Sequence, residues 1–592
     1  MSSTATRKAA SRPQDARRGA PAFRLRFGLI VIAMVLSFFG ARLVQLQGID
    51  PNSYAEMAAA ESVETRILPA ERGDILDRNG LPLADSVRGK MVVADPVMTA
   101  DDAPELATLL SQRLDVDYFE ALARLREGGS QFEYIARRVP STIATDLVAE
   151  LAEAGYEGIT LRDDPIRSYP ADDVAANLLG FIGTDEPLYG FERTFDRQLS
   201  GTDGTARFTV GGGNRIPLGE NTLVPAKNGT PLTTTVDMDL QWFTQRVLAQ
   251  TLQQYKALSG VAIVMDSRTG EVMALADAPT FDANNALESE KDDLGSRAIS
   301  DAYEPGSVEK VLTAAALIDA GKVTPRTRLR IPPTLPRQDR VIGDWFDHGN
   351  IKLTLAGVIA KSSNIGTVLA ADAFTPLELV GYLQKFGLGQ RTDMGLRGES
   401  AGILTPGDVM TSQTKDRVAF GQSLSVNAVQ MAAAVNTIAN GGVRISPSII
   451  KGSATTDDGT VVGTDVATET RVVSEQAARQ TARMMERVVD PDAGVAPGAQ
   501  VPGYLVAGKT GTAQRVSPTC GCYDGSTTVS FGGFAPADDP RFTVYVVVHK
   551  PQVDGGGGSI AGPAFSRIMG YALSRYRVPP TDGKPSRLPV EW

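Results

Sequence analysis

Ser307 and Lys310 stand at a spacing at which a hydroxyl and an amine can react together. Pro305 and Gly306 oppose a helix before Ser307, and the apolar run Val311–Ile318 favours one after it. The sequence therefore predicts Ser307 at a helix N-terminus, where its backbone N–H can face a developing oxyanion. Residues three apart on a helix are neighbours, so the amine can take the hydroxyl proton and create a nucleophile. Alone, the pattern is more typical of a capping serine beside a solvated lysine.

Ser362 and Asn364 form a second polar pair, inside the short segment Ala360–Gly366. Apolar runs flank this segment at Leu353–Ile359 and at Thr367–Ala370. Because the two residues occupy alternate positions, their hydroxyl and amide can point into one cleft. The pair is therefore a candidate part of the same site.

A third group, Lys509, Thr510, Gly511 and Thr512, follows a predicted strand at Tyr504–Ala507. Gly511 would let the backbone of a ligand approach the strand edge closely. The three groups, S-x-x-K, S-x-N and K-T-G, occur in this order, about 55 and about 145 residues apart. That set is shared by penicillin-binding proteins and serine β-lactamases.

The segment Gly503–Thr510 also fits the pattern G-x-x-x-x-G-K-[ST] of a nucleotide-binding loop. A phosphate loop needs a flexible interior and a helix directly after the threonine. Here the interior Tyr504–Ala507 is apolar and strand-like, and Gly511 with the β-branched Thr512 opposes a helix. The nucleotide interpretation is therefore the weaker one.

Beyond these three motifs, the chain resembles the class B penicillin-binding proteins over about residues 50 to 575. Among them it is most similar to the septal cell-division transpeptidases (FtsI-like). The resemblance rests on further motifs: Arg72–Gly80, Gly190–Glu192, Leu199–Gly204, Glu304–Ser307 and Phe420–Gln422. It implies an α+β fold, with an extended N-terminal pedestal and a C-terminal transpeptidase domain. That domain is expected to hold an antiparallel sheet flanked by helices, as in serine β-lactamases. The Arg72–Gly80 segment and Phe420–Gln422 are expected to have structural roles, the latter in a wall of the cleft.

The resemblance also implies the reaction, a D,D-transpeptidation of peptidoglycan stem peptides that end in D-Ala-D-Ala. Ser307 would attack the penultimate D-Ala carbonyl, neutral Lys310 would act as base, and Ser362 would relay a proton to the leaving amine. The N–H groups of Ser307 and Thr512 would form the oxyanion hole. No metal or organic cofactor has a role, and β-lactams would acylate the same serine.

The remaining residues of the site would bind substrate. Asn364 would hydrogen-bond a substrate amide, and Gly511 would admit the ligand backbone. Lys509, Thr510 and Thr512 would hold the terminal carboxylate. Glu309, beside the catalytic lysine, is expected to point to solvent, although a perturbation of Lys310 stays open.

Composition excludes several other functions. The 592 residues suggest three or four domains, and 42% hydrophobic content with 22% charge is ordinary for a globular protein. The net charge is −10, and because residues 1–26 contribute +6, the rest carries −16, which argues against nucleic-acid binding. Two histidines without ligand spacing and two cysteines do not make a metal site. Cys520 and Cys522 could equally form a bridge or stay free thiols.

The N-terminus predicts a membrane anchor. Residues 1–26 form a basic tail that should be disordered and cytoplasmic, and residues 27–46 are apolar enough to span a bilayer if Arg42 snorkels. A cleaved signal peptide is disfavoured by Phe39, which is too large for the cleavage site. The protein is therefore expected in the inner membrane as a single-pass protein, with residues 47–225 (pedestal) and 226–592 (transpeptidase) outside the cytoplasm.

Predicted elements agree with this division. The sequence predicts a hairpin at Arg72–Ala84 and a second hairpin at Val261–Ala276. It predicts helices at Ala103–Ala121 and Thr142–Ala154. Helices are predicted from Ser307 to about residue 440. Strands follow at Val529–Phe534 and Phe542–Val548, and a last helix lies near Pro563–Arg575. Strands, then helices, then strands indicate an antiparallel sheet in which the first and last elements are adjacent.

Other functions stay open. A β-lactamase needs neither a pedestal nor an anchor, and a β-lactam sensor needs a cytoplasmic signalling domain that about 26 residues cannot supply. A non-catalytic scaffold is harder to exclude, because septal enzymes of this type are expected to partner a SEDS-family (FtsW-like) glycosyltransferase and other division proteins. An elongation-type transpeptidase is the closest alternative.

Overall fold

The computed structural model describes residues 21–45, 63–184, 186–211, 214–215, 221–338, 340–517 and 519–592. The chain divides into two compact units. One comprises the described residues of Met1–Leu68 with those of Gly204–Pro225, and the other those of Pro69–Asp203 with those of Ala226–Trp592. The predicted boundary near residue 225 stays a prediction.

The helices of the described residues are α1 Pro21–Val44, α2 Pro96–Thr99, α3 Ala103–Leu114, α4 Tyr118–Leu125, α5 Ser141–Glu153, α6 Ala176–Leu179, α7 Gly190–Thr194, α8 Asp196–Leu199, α9 Met238–Tyr255, α10 Arg297–Ser300, α11 Lys310–Asp319, α12 Leu355–Lys361, α13 Asn364–Ala371, α14 Pro376–Lys385, α15 Ser412–Val418, α16 Ala428–Ala439, α17 Glu475–Glu486 and α18 Ala561–Arg575. The strands are β1 Val63–Leu68, β2 Ile75–Leu76, β3 Pro82–Val87, β4 Gly89–Ala94, β5 Glu133–Pro140, β6 Ile159–Asp163, β7 Ile166–Ser168, β8 Gly204–Gly211, β9 Asn214–Arg215, β10 Thr222–Val224, β11 Leu232–Thr233, β12 Ser259–Asp266, β13 Val272–Ala278, β14 Arg328–Ile331, β15 Leu335–Arg337, β16 Arg340–Ile342, β17 Ile351–Thr354, β18 Val443–Ile445, β19 Ala454–Thr455, β20 Val461–Val462, β21 Glu469–Arg471, β22 Ala507–Val516, β23 Tyr523–Ala535 and β24 Phe542–His549.

The first unit contains the apolar helix α1 and an antiparallel sheet of β1, β8, β9 and β10. An 18-residue window of its segment Ala22–Val44 has a mean hydropathy of 2.3, and among the described residues this is the one helix long and apolar enough to cross a membrane. The helix begins at Pro21, so the prediction that residues 21–26 belong to a disordered tail is wrong. Proline is well suited to the first turn of a helix, where its missing N–H costs no hydrogen bond. Residues 1–20 and Leu46 lie outside the described residues.

In the second unit, the pedestal motifs meet in a buried ion-pair cluster. Glu192 is fully buried and receives Arg72 Nε on Oε2 at 2.5 Å and Arg167 Nε on Oε1 at 2.7 Å. Arg72 also pairs with Asp196 at 2.6 Å. The hairpin predicted at Arg72–Ala84 is present, with β2 paired to the start of β3. The motifs therefore join segments about 120 residues apart.

A five-stranded antiparallel sheet, in the order β13-β12-β24-β23-β22, organises the rest of the second unit. Its central strands β12 and β24 are buried along their whole length. Helices α9 and α18 pack on one face and α16 on the other. Because β12 pairs with β24, the first and last elements are adjacent, which confirms the predicted arrangement.

Two sequence-based element predictions need correction. The helical segments predicted from Ser307 to about residue 440 are present, but two antiparallel strand pairs that were not predicted, β14 with β17 and β15 with β16, lie among them. The strand predicted at Tyr504–Ala507 begins only at Ala507. The backbone before it bonds elsewhere: the N–H of Leu505 donates to Thr581 Oγ1, and its carbonyl accepts from Ala537 N.

Candidate active site

Ser307 lies in a single 3-10 turn, Gly306–Val308, directly before α11. The turn is held from behind by Gly421, whose carbonyl accepts the N–H of Gly306 at 2.9 Å. A Cβ on Gly421 would lie 1.9 Å from the carbonyl oxygen of Gly306, and its φ is +90°, so only glycine fits there. The Phe420–Gln422 motif therefore supports the serine turn and lines the cleft, as expected.

Strand β22 presses against the other side of this turn. A Cβ on Gly511 would lie 2.3 Å from Ser530 Oγ and 2.9 Å from the carbonyl oxygen of Pro305. Gly511 was predicted to admit a ligand backbone. The structure shows a second reason for glycine at this position: without a side chain there, the turn that carries Ser307 can pack on the strand.

Lys310 is fully buried, and its amine faces the S-x-N segment. Its Nζ donates to Asn364 Oδ1 and to the Ser362 carbonyl, both at 2.7 Å, and lies 3.4 Å from Ser362 Oγ. Burial lowers the pKa of Lys310 to about 7, although the carboxyl groups of Asp344 and Glu309 oppose that shift. A substantial fraction of the amine is therefore neutral near neutral pH, as a general base requires.

Ser362 brings the two lysines of the site together. It ends α12 in a left-handed conformation, with φ of 61°, which turns the chain into α13. Lys509 Nζ donates to Ser362 Oγ at 2.8 Å, and Lys310 Nζ lies 3.4 Å from the same oxygen. The hydroxyl thus contacts two amines and can pass a proton.

Lys509 is also fully buried, and its other donors reach the carbonyl and hydroxyl oxygens of Thr510 at 3.0 and 3.1 Å. Burial, reinforced by the charge of Lys310, holds the pKa of Lys509 well below its usual value. The amine therefore lies behind Thr510 rather than in the open cleft. A bound carboxylate would contact threonine hydroxyls first.

A cavity of about 540 Å³ opens over these groups. The predicted residues that line it are Ser307, Ser362, Asn364, Thr510 and Thr512. Lys310 and Lys509 lie beneath its floor and reach it through Ser362 and Asn364. The sequence-predicted site residues are therefore brought together around one cleft.

Comparison with known proteins agrees with this geometry. The family described as "Penicillin binding protein transpeptidase domain" matches residues 260–570, and "Penicillin-binding Protein dimerisation domain" matches residues 67–187. Penicillin-binding protein PbpB of Mycolicibacterium smegmatis is 36% identical, over 96% of this chain and 92% of its own length. The chain is a class B penicillin-binding protein.

Two further relatives support the assignment of this penicillin-binding protein. The peptidoglycan D,D-transpeptidase FtsI of Escherichia coli is 32% identical, over 97% of this chain and 96% of its own length. A crystal structure of penicillin-binding protein 3 from Mycobacterium tuberculosis, complexed with aztreonam, superposes with a TM-score of 0.68 at 32% identity. It covers 89% of this chain and all of the other. The penicillin-binding protein is accordingly a peptidoglycan D,D-transpeptidase. The K-T-G segment lies inside strand β22, so the nucleotide-loop alternative is wrong.

Asp344 supports the site of this transpeptidase, and the sequence motifs did not reveal it. Its buried carboxylate accepts from Ser363 Oγ at 2.6 Å and Ile365 N at 3.0 Å, and it contacts His348 Nε2 at 3.2 Å. Asp344 thereby fixes the start of α13, from which Asn364 reaches Lys310. Its partners at the start of α13, Ser363 and Ile365, are about twenty residues distant in sequence, so no local pattern marks it.

The prediction that Glu309 points to solvent is wrong. Glu309 is fully buried, its Oε1 accepts from Thr313 Oγ1 at 2.6 Å, and its Oε2 has no partner among the described residues. The reason is that α11 lies in the core, with residues 310–318 all buried, so the helix has no solvent face. Burial raises the pKa of Glu309 well above its usual value, which favours the neutral form of the carboxyl.

Cys520 and Cys522 form a disulfide bond in the hairpin between β22 and β23. The sequence had left bridge and free thiols open. Tyr523, the next residue, donates from its hydroxyl to both oxygens of Glu304 at 3.1 Å. Glu304 also accepts from Ser423 N at 2.8 Å, so it ties this hairpin to the loop after Phe420–Gln422.

Proposed function

We propose that the chain cross-links peptidoglycan through an acyl-enzyme on Ser307, using stem peptides that end in D-Ala-D-Ala, during septal wall synthesis. The observation that carries the proposal is the convergence of two buried amines, Lys310 and Lys509, on the Ser362 hydroxyl beneath the cavity that Ser307 lines. This arrangement supplies a base, a proton relay and a carboxylate site around one nucleophile.

In the first step, neutral Lys310 takes the proton of Ser307 Oγ, and the oxygen bonds to the penultimate D-Ala carbonyl carbon. The backbone N–H groups of Ser307 and Thr512 stabilise the resulting oxyanion. Collapse breaks the peptide bond, and the proton passes from Lys310 through Ser362 to the leaving D-Ala amine. An amine of a neighbouring strand then attacks the ester and gives a proton to Lys310. The new amide forms as the C–O bond breaks, and Lys310 returns the proton to the departing Ser307 oxygen.

The substrate carboxylate is placed by Thr510 and Thr512, with Lys509 behind them. An anion next to Lys509 favours the charged form of its amine, so substrate binding would raise the pKa that burial has lowered. Asn364 keeps a donor for a substrate amide, because its Nδ2 donates to Gly343 O at 2.9 Å and carries a second hydrogen.

The same machinery would be acylated by β-lactams, as the aztreonam and ampicillin complexes of the Mycobacterium tuberculosis protein suggest. Hydrolysis of the ester would need a positioned water with its own base. Glu309 points away from the cavity into the core, and therefore does not supply that base. A lasting adduct is expected.

Intact-mass measurement of the detergent-solubilised chain, mixed with a slight excess of penicillin, tests the proposal. The expected result is a one-to-one adduct that maps to the Ser307 peptide and is absent from Ser307→Ala. Rapid loss of the adduct with steady consumption of the drug would instead mean a β-lactamase. Normal acylation without peptide transfer would favour the penicillin-binding scaffold.

The septal role is supported by the similarity to PbpB and FtsI at 36% and 32% identity. On this proposal α1 anchors the chain in the inner membrane, with the N-terminus in the cytoplasm and a SEDS-family glycosyltransferase as partner. Depletion in the source bacterium should block division and leave unseparated cells. Loss of cell width or lateral growth without a division block would identify an elongation enzyme, and mature protein that begins near residue 42 would contradict the anchor.

A further inference from the structure

A second cavity, of about 330 Å³, continues the catalytic cleft past Asn364. The two cavities share Asn364, Phe420 and Gln422, so a ligand can pass from one to the other. Gln514 on β22 also lines the second cavity. Residues alternate along a strand, so Gln514 lies on the same side as Thr510 and Thr512.

The lining of this second cavity is strongly basic. Arg337, Arg340 and Arg417 line it, against a single acidic residue, Asp416. Arg337 is neutralised, since it pairs with Asp372 at 2.5 Å and approaches Asp416 at 3.6 Å. Within the part of the chain that the structure describes, neither Arg340 nor Arg417 forms an ion pair, although the charge of Arg417 acts on the carboxyl of Asp416. Three arginines thus face one described acidic residue in this cavity.

We infer that this basic cavity, defined by Arg340, Arg417 and Gln514, binds a second carboxylate of the donor stem peptide, one that precedes its D-Ala-D-Ala terminus. The inference rests on the proposed function. An extended peptide advances ~3.3 Å per residue, as a strand does. With its terminal carboxylate at Thr510 and Thr512, a peptide lying along β22 would bring the residue before D-Ala-D-Ala, or the one before that, to the level of Gln514.

The position of the arginines suits this task better than a structural one. Arg340 is exposed and Arg417 half-buried, so both guanidinium groups are open to the cavity. Guanidinium groups bind carboxylates through paired hydrogen bonds, which are stronger than bonds between neutral groups. The nearby carboxylate of Glu304 already accepts hydrogen bonds from the Tyr523 hydroxyl and from the N–H of Ser423. The cavity is thus matched to an anionic ligand.

The experiment compares synthetic donor peptides that carry or lack the extra carboxylate. Peptides ending in D-Ala-D-Ala would be made with the free acid or the amide at the residue before the dipeptide, or at the next residue upstream. The full-length protein in detergent is assayed for acyl transfer, and for acylation by penicillin, which is too small to span both cavities. The variant is Arg340→Gln with Arg417→Gln, and the matched control is the exposed Arg326→Gln.

We expect the double variant to lose roughly tenfold to a hundredfold in kcat/KM on the peptide whose acid reaches the cavity, mainly through KM. On the peptide with an amide at that position, the double variant should have the same kcat/KM as the parent. Comparing the peptides amidated at each of the two positions identifies which carboxylate binds. Penicillin acylation and the Arg326→Gln control should stay at parental values. Equal loss on acid and amide peptides, or no loss on either acid, would overturn the subsite. Failure of the parent protein to acylate would instead overturn the proposed function.

Discussion

At the scale of single residues, the site depends on what burial does to charge. Lys310 and Glu309 are neighbours in sequence, both fully buried, and burial drives each toward its neutral form. A neutral lysine is a base and a neutral glutamic acid is a hydrogen-bonding core residue. The neutral lysine was expected from the family resemblance, whereas Glu309 was expected to point to solvent.

The pH dependence of acylation should report on Lys310. Because only the neutral amine accepts the Ser307 proton, the acylation rate should rise about tenfold per pH unit below the lysine pKa of about 7 and level off above it. Stopped-flow measurement of penicillin acylation checks the profile. Lys310→Ala should be slower by at least roughly a hundredfold, with no inflection near pH 7. The exposed Lys322→Ala is the control, and an unchanged profile in Lys310→Ala would remove the lysine as base.

Glu309→Gln should stabilise the protein in a pH-dependent way. The pKa of Glu309 is raised in the folded state above its usual value of 4.5, so at low pH both folded and unfolded chains hold the neutral acid. As the pH rises above 4.5, the unfolded chain ionises first, and the parent loses stability that a glutamine keeps. The amide oxygen can still accept from Thr313.

Calorimetry at about pH 5 and about pH 8 checks this prediction. The gain in Tm from Glu309→Gln should be larger at the higher pH, whereas the exposed Glu288→Gln should show no such trend. A gain that shrinks with rising pH would mean that Glu309 is ionised in the folded protein.

At the scale of elements, the turn that carries Ser307 packs closely on strand β22 because Gly511 has no side chain. Gly511→Ala would place a methyl group 2.9 Å from the carbonyl of Pro305, so the turn that carries Ser307 must move. A displacement of about 1 Å in a site of this kind costs roughly a hundredfold in rate. We expect acylation to fall by that order while the fold persists.

The control for this variant is Gly381→Ala in α14, where a methyl group meets no atom within 4 Å. That change should leave acylation unchanged and slightly raise stability, because alanine favours a helix over glycine. If Gly511→Ala acylates at the parental rate, the strand does not position the turn.

The sequence predicted the residues of the site better than the residues and elements that hold them in place. Ser307, Lys310, Ser362 and the Lys509–Thr512 segment were predictable because each motif is contiguous and local geometry fixes its side chains. Asp344 was not predictable, since its contacts depend on a loop that folds back onto α13. The burial of Glu309 had a visible signal, because Val311–Ile318 contains Thr313 as its one polar residue and no charge, which is typical of a core helix. The start of β22 depends on long-range bonds to Thr581 and Ala537.

At the scale of the whole molecule, the buried ion-pair cluster of the pedestal motifs connects segments that are far apart in sequence. Glu192→Gln would remove the charge shared by Arg72 and Arg167 and leave two guanidinium groups short of a buried partner. Breaking such a pair costs about 3 to 5 kcal/mol. Urea unfolding should show this loss, and Glu150→Gln, which breaks an exposed pair with Arg113, should cost at most about 1 kcal/mol. Equal losses would mean that the cluster adds nothing to stability.

The disulfide in the hairpin after β22 bears on how the protein is prepared. Disulfides persist in oxidising compartments and are reduced in a bacterial cytoplasm or in buffers that contain a thiol reagent. Cys522 directly precedes Tyr523, whose hydroxyl bonds Glu304 only three residues before Ser307. Protein secreted to the periplasm and protein refolded under dithiothreitol would therefore differ beside the nucleophile. Rate constants for inhibitors are comparable between laboratories only when the redox history of the sample is the same.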